Sequence, residues 1–308
     1  MVPSSERHVP VLLQDAIRYL HVRSGGTYAD ATLGFAGHAA AIARELGGEG
    51  RLIGFDRDPD ALELARARFQ ALSEELGEQM PEWELHGDPF SDMSRHIPEA
   101  SLDGLLADFG ISSMQLDSAH RGFSFQADGP LDMRMDPRRG ATAEQVVNQA
   151  DEKVLADLIY EFGEERRSRR FARAIVRARP IETTAQLAKV LSAAAPAMKS
   201  ERGRHHLHPA TRIFQALRIY VNAELNEIEA LLKAAPRLLK PGGRLVVISF
   251  HSLEDRLAKD ALREGARQGI FEVFTRKPVT ASEEETDRNP RARSAKLRAA
   301  ERTDKRQE

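Results

Sequence analysis

Cysteine is absent from all 308 residues. That excludes disulfides, iron–sulfur clusters and thiol catalysis, and it suits a reducing compartment. Long apolar runs are missing too: none approaches the ~20 residues that a membrane span needs. The opening "MVPSSERHVPVLL" lacks the basic, apolar and small-residue layout of a secretory signal. The expected location is cytoplasmic, with no membrane partner. Aromatic residues are sparse at 6%, but 41% apolar and 30% charged residues describe an ordinary globular chain. Its length allows one large core, or a core plus an insert.

A net charge of −2 conceals an asymmetry. Residues 27–116 carry 6 Lys and Arg against 17 Asp and Glu, a net of −11. Residues 160–220 carry 13 against 5, a net of +8. Two solvated surfaces of opposite sign would give these counts, and so would a polyanion partner for one part of the chain.

Strands and helices alternate through the first third. "TYADATL" (27–33), "GRLIGFD" (50–56), "WELHG" (83–87) and "LDGLLADFG" (102–110) read as strands. "HAAAIAREL" (38–46) and "PDALELARARFQAL" (59–72) read as helices, the second with Pro59 in its first turn. Such alternation builds a parallel sheet with helices on both faces. Residues 111–140 read as a long ordered loop rich in Gly, Pro and Asp. Short helices follow, with capping-box spacing at Thr142/Gln145 and Thr183/Gln186. From Pro209 one long or broken helical period runs to about Ala235. "PGGRLVVISF" (241–250) and "IFEVFTR" (270–276) resume the sheet, and the tail offers a final edge strand before a charged, frayed end.

The first strand–helix turn, Leu33-Gly34-Phe35-Ala36-Gly37-His38, lies where open α/β sheets bind ligands. Gly34 permits a tight turn, Gly37 a close backbone approach, and the helix start presents unpaired amides to an anion. Asp56 ends the second strand 22 residues after Gly34, where a carboxylate can take both hydroxyls of a ribose. The full glycine fingerprint of a nicotinamide site and the GK[ST] of a P-loop are both lacking. Any adenosine-containing ligand fits, as does a plain helix-start turn. Phe90 in "GDPF" could lie against an adenine, and "LLKPGGRLVVISF" (238–250) resembles the matching segment of S-adenosylmethionine-dependent methyltransferases.

Longer stretches sharpen that likeness. "HVPVLLQDAI" (8–17), "DFGISSMQLDSAHRGFSFQADGPLDMRMD" (108–136), "HPATRIFQALRIYVNAEL" (208–225), "ISFHSLEDR" (248–256) and "NPRARSAKLRAAERT" (289–303) resemble the bacterial RsmH (formerly MraW) family, 16S ribosomal RNA cytosine-N4 methyltransferases. The resemblance covers essentially the whole chain. It implies a class I, Rossmann-like doubly wound fold over 1–115 and 210–308, with an inserted helical, basic RNA-recognition domain over 116–209. It implies S-adenosylmethionine bound by Ala36, Gly37, His38, Asp56, Phe90, Asp108 and Gln115. The turn departs from the family pattern by carrying Phe35-Ala36 in place of a second glycine and an Arg, so the contact at position 36 would be a main-chain one. The implied substrate is the N4 amine of a decoding-site cytidine in 16S ribosomal RNA or the small ribosomal subunit. A homodimer is left open.

The amine is a weak nucleophile, because its lone pair is delocalised into the ring. An acceptor beside it would draw it out of conjugation and take its proton. Asp108, or a carbonyl of the 109–111 turn, is the candidate acceptor; the alternative is that Asp108 only contacts cofactor. Arg166, Arg170, Arg173 and Arg177 would form one helical stripe suited to a phosphate backbone, or else a solvated face paired with Glu164 and Glu165. His251 could touch the base or its ribose, beside a capping box at Ser252/Asp255. Phe123 and Phe125 could stack on a base or pack in a core. His205, His206 and His208 form a histidine cluster without a nearby carboxylate, and no metal is expected there. Rival readings are a nicotinamide oxidoreductase, a methyltransferase of small molecules or another RNA, and a non-catalytic ribosome-binding protein.

Overall fold

The structure, a computed structural model, describes residues 10–195 and 208–304. It separates into two compact units, one of residues 1–110 and 225–308 and the other of residues 111–224. The expected insert boundaries, 116 and 209, both fall inside the second unit.

In the first unit the order is α1 (Leu13–Leu20), β1 (Thr27–Asp30), α2 (Gly37–Leu46), β2 (Arg51–Phe55), α3 (Pro59–Leu76), β3 (Glu82–His86) and β4 (Leu102–Asp108). The second unit holds α4 (Ser113–Asp117), α5 (Ala143–Gln149), α6 (Glu152–Gly163), α7 (Ser168–Ala178), α8 (Thr184–Ala194) and α9 (Pro209–Asn222). The chain then returns through α10 (Glu224–Leu238) to β5 (Leu239–Ser249), α11 (Ser252–Arg267), β6 (Phe271–Val273), α12 (Glu283–Arg288) and β7 (Lys296–Arg302).

The strands form one sheet in the order β3-β2-β1-β4-β5-β7-β6. The first five are parallel, and β7 runs antiparallel to both β5 and β6. Apolar side chains of the parallel strands point to both faces. One face packs Tyr28, Leu52 and Leu106 with Ala16, Ala40, Ile42 and Phe69. The other packs Ile53, Phe55, Leu105 and Val247 with Leu231, Leu238, Ala258 and Leu262. Strand order reverses between β1 and β4, so the crevice for a ligand opens there, beyond Asp30 and Asp108.

Two expectations need correction, and one alternative is decided. The tail strand β7 is interior, and β6 is the edge. Arg298 in β7 is 5% exposed, and Asp255 neutralises it at 2.7 Å while also meeting Lys296 at 3.2 Å. Of the long and broken alternatives for the helical period from Pro209, the broken one holds: it is interrupted at Ala223, which takes a left-handed φ of 48°. The first strand ends at Asp30, where the turn begins.

The second unit has its own core, in which Leu155, Ile159, Phe171, Ile175, Leu187, Ile213, Phe214 and Leu217 meet. The capping boxes at Thr142/Gln145 and Thr183/Gln186 are both formed. The long loop is held by side chains. Asn222 donates to Met133 O and accepts from Met135 N, each at 2.7 Å. The Arg121 guanidinium donates to Arg134 O and Met135 O.

Candidate functional site: a carboxyl-lined crevice and an arginine face

The crevice is built by the turn after β1. Gly34 and Ala36 both take left-handed φ values, 49° and 53°, which wind six residues tightly into α2. Asp56, the expected ribose ligand, holds this turn: Oδ2 accepts Gly34 N and Oδ1 accepts Asp58 N, each at 2.9 Å. Each oxygen keeps a further lone pair for a ligand. A Cβ at Gly37 would lie 2.3 Å from Pro10 Cγ. The glycine admits the N-terminal segment of the chain itself.

Four acids gather at the strand ends. Asp30, which the sequence reading passed over, is 1% exposed. Its Oδ1 accepts Thr32 N at 3.0 Å, and its Oδ2 has no hydrogen-bond partner. Thr32 Oγ1 in turn accepts Asp108 N at 2.6 Å, fixing the end of β4. Asp108 Oδ1 is buried without a hydrogen-bond partner, and its Oδ2 lies 3.7 Å from His38 Nδ1. His38 Nε2 lies 3.0 Å from Val11 O. A carbonyl can only accept, so Nε2 carries the hydrogen, and a neutral His38 turns a lone pair toward Asp108.

Burial, reinforced by Asp56, pushes Asp30 up to about 7. Burial and the charge of Asp58 push Asp56 up to about 6. Burial raises Asp108 well above the usual carboxylate range, with Asp30 and Glu254 adding to it. Glu254, fully buried at the start of α11, accepts Phe250 N at 2.7 Å and His251 N at 3.2 Å through Oε2. The capping box at this helix is therefore His251/Glu254, one residue earlier than expected. His251 Nδ1 accepts Glu254 N at 3.4 Å, which engages the imidazole at the helix start. Phe90, after β3, forms an apolar wall with its ring 6.2 Å from that of Phe109.

Buried carboxyl oxygens with unfilled acceptor capacity fit a cationic ligand. S-adenosylmethionine, with its sulfonium and ammonium charges, is such a ligand. Asp30 and Asp108 would face its charge, Asp56 its ribose and Phe90 its adenine, with the amide end of α2 toward its carboxylate.

The remaining candidates lie in the second unit. Gln115 is buried, and its side chain closes a capping box with Ser112 at α4. Arg170, Arg173 and Arg177 share the exposed face of α7, opposite Phe171, Ala172 and Ile175. Arg166 precedes that helix, so the stripe has three helical members. Arg173 lies 3.5 Å from Glu152 and stays 59% exposed. Phe123 is buried, while Phe125 packs on His208 and Phe214 at 4.8 and 5.0 Å; both rings belong to the core. His208 caps α9 through Ala210 N, and His205 and His206 lie outside the described residues.

A doubly wound sheet with an adenosine-type turn and an acid-lined crevice at its switch point defines a class I S-adenosylmethionine-dependent methyltransferase. Sequence comparison makes the assignment narrower. The model of the MraW methylase family matches residues 5–303, and the chain belongs to that family. It is 76% identical to a protein of Acidobacterium capsulatum named ribosomal RNA small subunit methyltransferase H, across 96% of this chain and 98% of that protein. Proteins of the same name from Koribacter versatilis and a Cyanothece species are 61% and 47% identical, over 96% and 99% of this chain and 94% and 99% of theirs.

Proposed function

We propose that this enzyme methylates the N4 amine of a decoding-site cytidine in 16S ribosomal RNA. The observation that carries the reading is Asp108, a carboxyl at the end of β4 with a hydrogen-bond-free oxygen and a raised proton affinity, beside an acid-lined cofactor crevice. The relatives' shared name supplies the RNA class.

Bound there, S-adenosylmethionine supplies a methyl group activated on sulfonium. The chain's own residues do the rest. Asp108 accepts a hydrogen bond from the amine, which turns the nitrogen lone pair toward the methyl carbon. The cationic neighbour favours the ionised carboxyl. As the N–C bond forms and the S–C bond breaks, nitrogen must lose a proton, and Asp108 takes it. Thr32 fixes the backbone of Asp108, which supports in-line placement of the reacting atoms. The target base leaves its stack to reach the crevice, while Arg170, Arg173 and Arg177, with Arg166 beside them, contact phosphates.

The direct test incubates purified protein, small ribosomal subunits and methyl-labelled S-adenosylmethionine, then digests the RNA to nucleosides. Label in N4-methylcytidine at one position is expected. Label elsewhere in the RNA, or transfer only to small molecules, would overturn the proposal.

A further inference from the structure

The end of β3 carries a cluster that methyl transfer does not use. His86 ends the strand, Asp88 lies in the turn after it, and His96 follows the short helical turn Phe90–Arg95. The His86 ring stacks on Phe55 at 4.8 Å and faces the His96 ring at 4.1 Å. His96 also meets the edge of Phe55 at 5.7 Å. His96 Nε2 lies 3.1 Å from Asp88 Oδ2. One ligand-capable atom from each of His86, Asp88 and His96 lies within 4.8 Å of the others. His86 Nε2 is buried without a hydrogen-bond partner, with Glu84 Oε2 at 3.8 Å.

We propose that His86, Asp88 and His96 bind one divalent cation of the zinc class. Two imidazoles with one carboxylate match the ligand preferences of zinc and its borderline neighbours; calcium and magnesium require oxygen shells that a single carboxylate does not supply. Zinc bonds of about 2.0–2.1 Å place tetrahedral ligand atoms about 3.3 Å apart, so the cluster has to contract by about 1.5 Å at most. Asp88 is part-buried and His96 exposed, and both sit in turns, so their side chains have room to move. The fourth position is left to water or to Glu84. The ligands bracket the segment that carries Phe90, so the cation closes that loop as a clip and fixes the wall of the adenine site.

The test uses the full chain, stripped with a chelator and then dialysed. Zn2+ is titrated calorimetrically, and Co2+ by its visible ligand-field absorption, on the parent protein, His96→Gln, Asp88→Asn and a His205→Gln/His206→Gln control. One equivalent should bind with an absorption band typical of four-coordinate cobalt. Affinity should fall at least about tenfold in His96→Gln and in Asp88→Asn, with circular dichroism unchanged, and the control should bind like the parent. Zn2+ should also raise the melting temperature of the parent more than that of either variant. No stoichiometric binding, equal affinity in the parent and both site variants, or loss only in the control would each overturn the site.

Discussion

The two units use charge in opposite ways. In the sheet unit, Asp30 and Glu254 are taken almost wholly out of water and Asp108 largely so, and the proton affinities of Asp30 and Asp108 rise as a result. In the helical unit, Arg170, Arg173 and Arg177 stay exposed on a face whose reverse side is core. Desolvation is costly, and it is found where a charged ligand or a moving proton can use it. Exposed guanidinium groups keep their water until a polyanion displaces counterions. A residue count sees both regions only as excess charge; burial separates chemistry from recognition.

The hardest blow to this contrast is Asp108→Asn, which keeps shape while removing the proton acceptor. Methylation should fall about 10²–10⁴-fold in kcat at saturating cofactor, well beyond any loss of cofactor affinity that follows from removing a charge facing the sulfonium. Equal losses of cofactor binding and activity would reduce Asp108 to a cofactor contact.

The complementary change is the triple reversal Arg170→Glu, Arg173→Glu and Arg177→Glu. RNA affinity at moderate salt should drop at least about 100-fold, and the dependence of log K on log salt should flatten by about three contacts. Cofactor affinity should not move, and the cost to stability should be small because these groups are exposed. Unaltered methylation would return the stripe to a solvated face.

Much of this contrast was readable in the sequence, and the failures have identifiable causes. The parallel strands announce themselves because both faces are buried, so their apolar runs are continuous. The spacing of Asp56 from Gly34 marks it as a turn-side acid, and the fold places its carboxyl on that turn. Asp30 is harder to read because the glycines of the turn are the stronger local signal, although an acid closing a buried strand is itself a signal. Ser252 looked the better cap, but His251 takes that place because Glu254 reaches back to the two amides before it. β7 lies inside the sheet and not at its edge, and Asp255 neutralises Lys296 and Arg298 there. The helix break at Ala223 has no glycine to mark it, and α9 supplies part of the second unit's core.

A smaller effect concerns pH. With Asp30 raised to about 7 and Asp56 to about 6, the folded chain holds protons that the unfolded chain has already released above its ordinary carboxyl pKa. The unfolded state then binds fewer protons, so this contribution to stability declines as pH rises from about 4 to 7. The cofactor-free protein should melt several degrees lower at pH 8 than at pH 5.5, and Asp30→Asn should remove part of that difference. A cationic cofactor favours the ionised acids, so its binding should release protons and tighten across pH 6–8. Calorimetry in buffers of different ionisation heat would detect this. A pH-independent binding curve would mean the acids are already ionised, and the contrast in burial would lose its chemical meaning.

The finest test sits at Ala36, where the turn lacks the glycine its left-handed conformation favours. An L-residue in that region costs about 1–2 kcal/mol, so Ala36→Gly relieves strain. Glycine gives back about 0.5–1 kcal/mol in backbone entropy. Position 36 is also fully buried in the apolar core, and losing its methyl group costs about 0.8 kcal/mol. These effects nearly cancel, so the melting temperature should change by no more than about 2–4 °C. Cofactor affinity should stay within about threefold if position 36 meets the ligand through its main chain. A tenfold loss, about 1.4 kcal/mol, would show that the methyl group itself touches the cofactor and that this turn departs from a glycine-built one in function as well as in sequence.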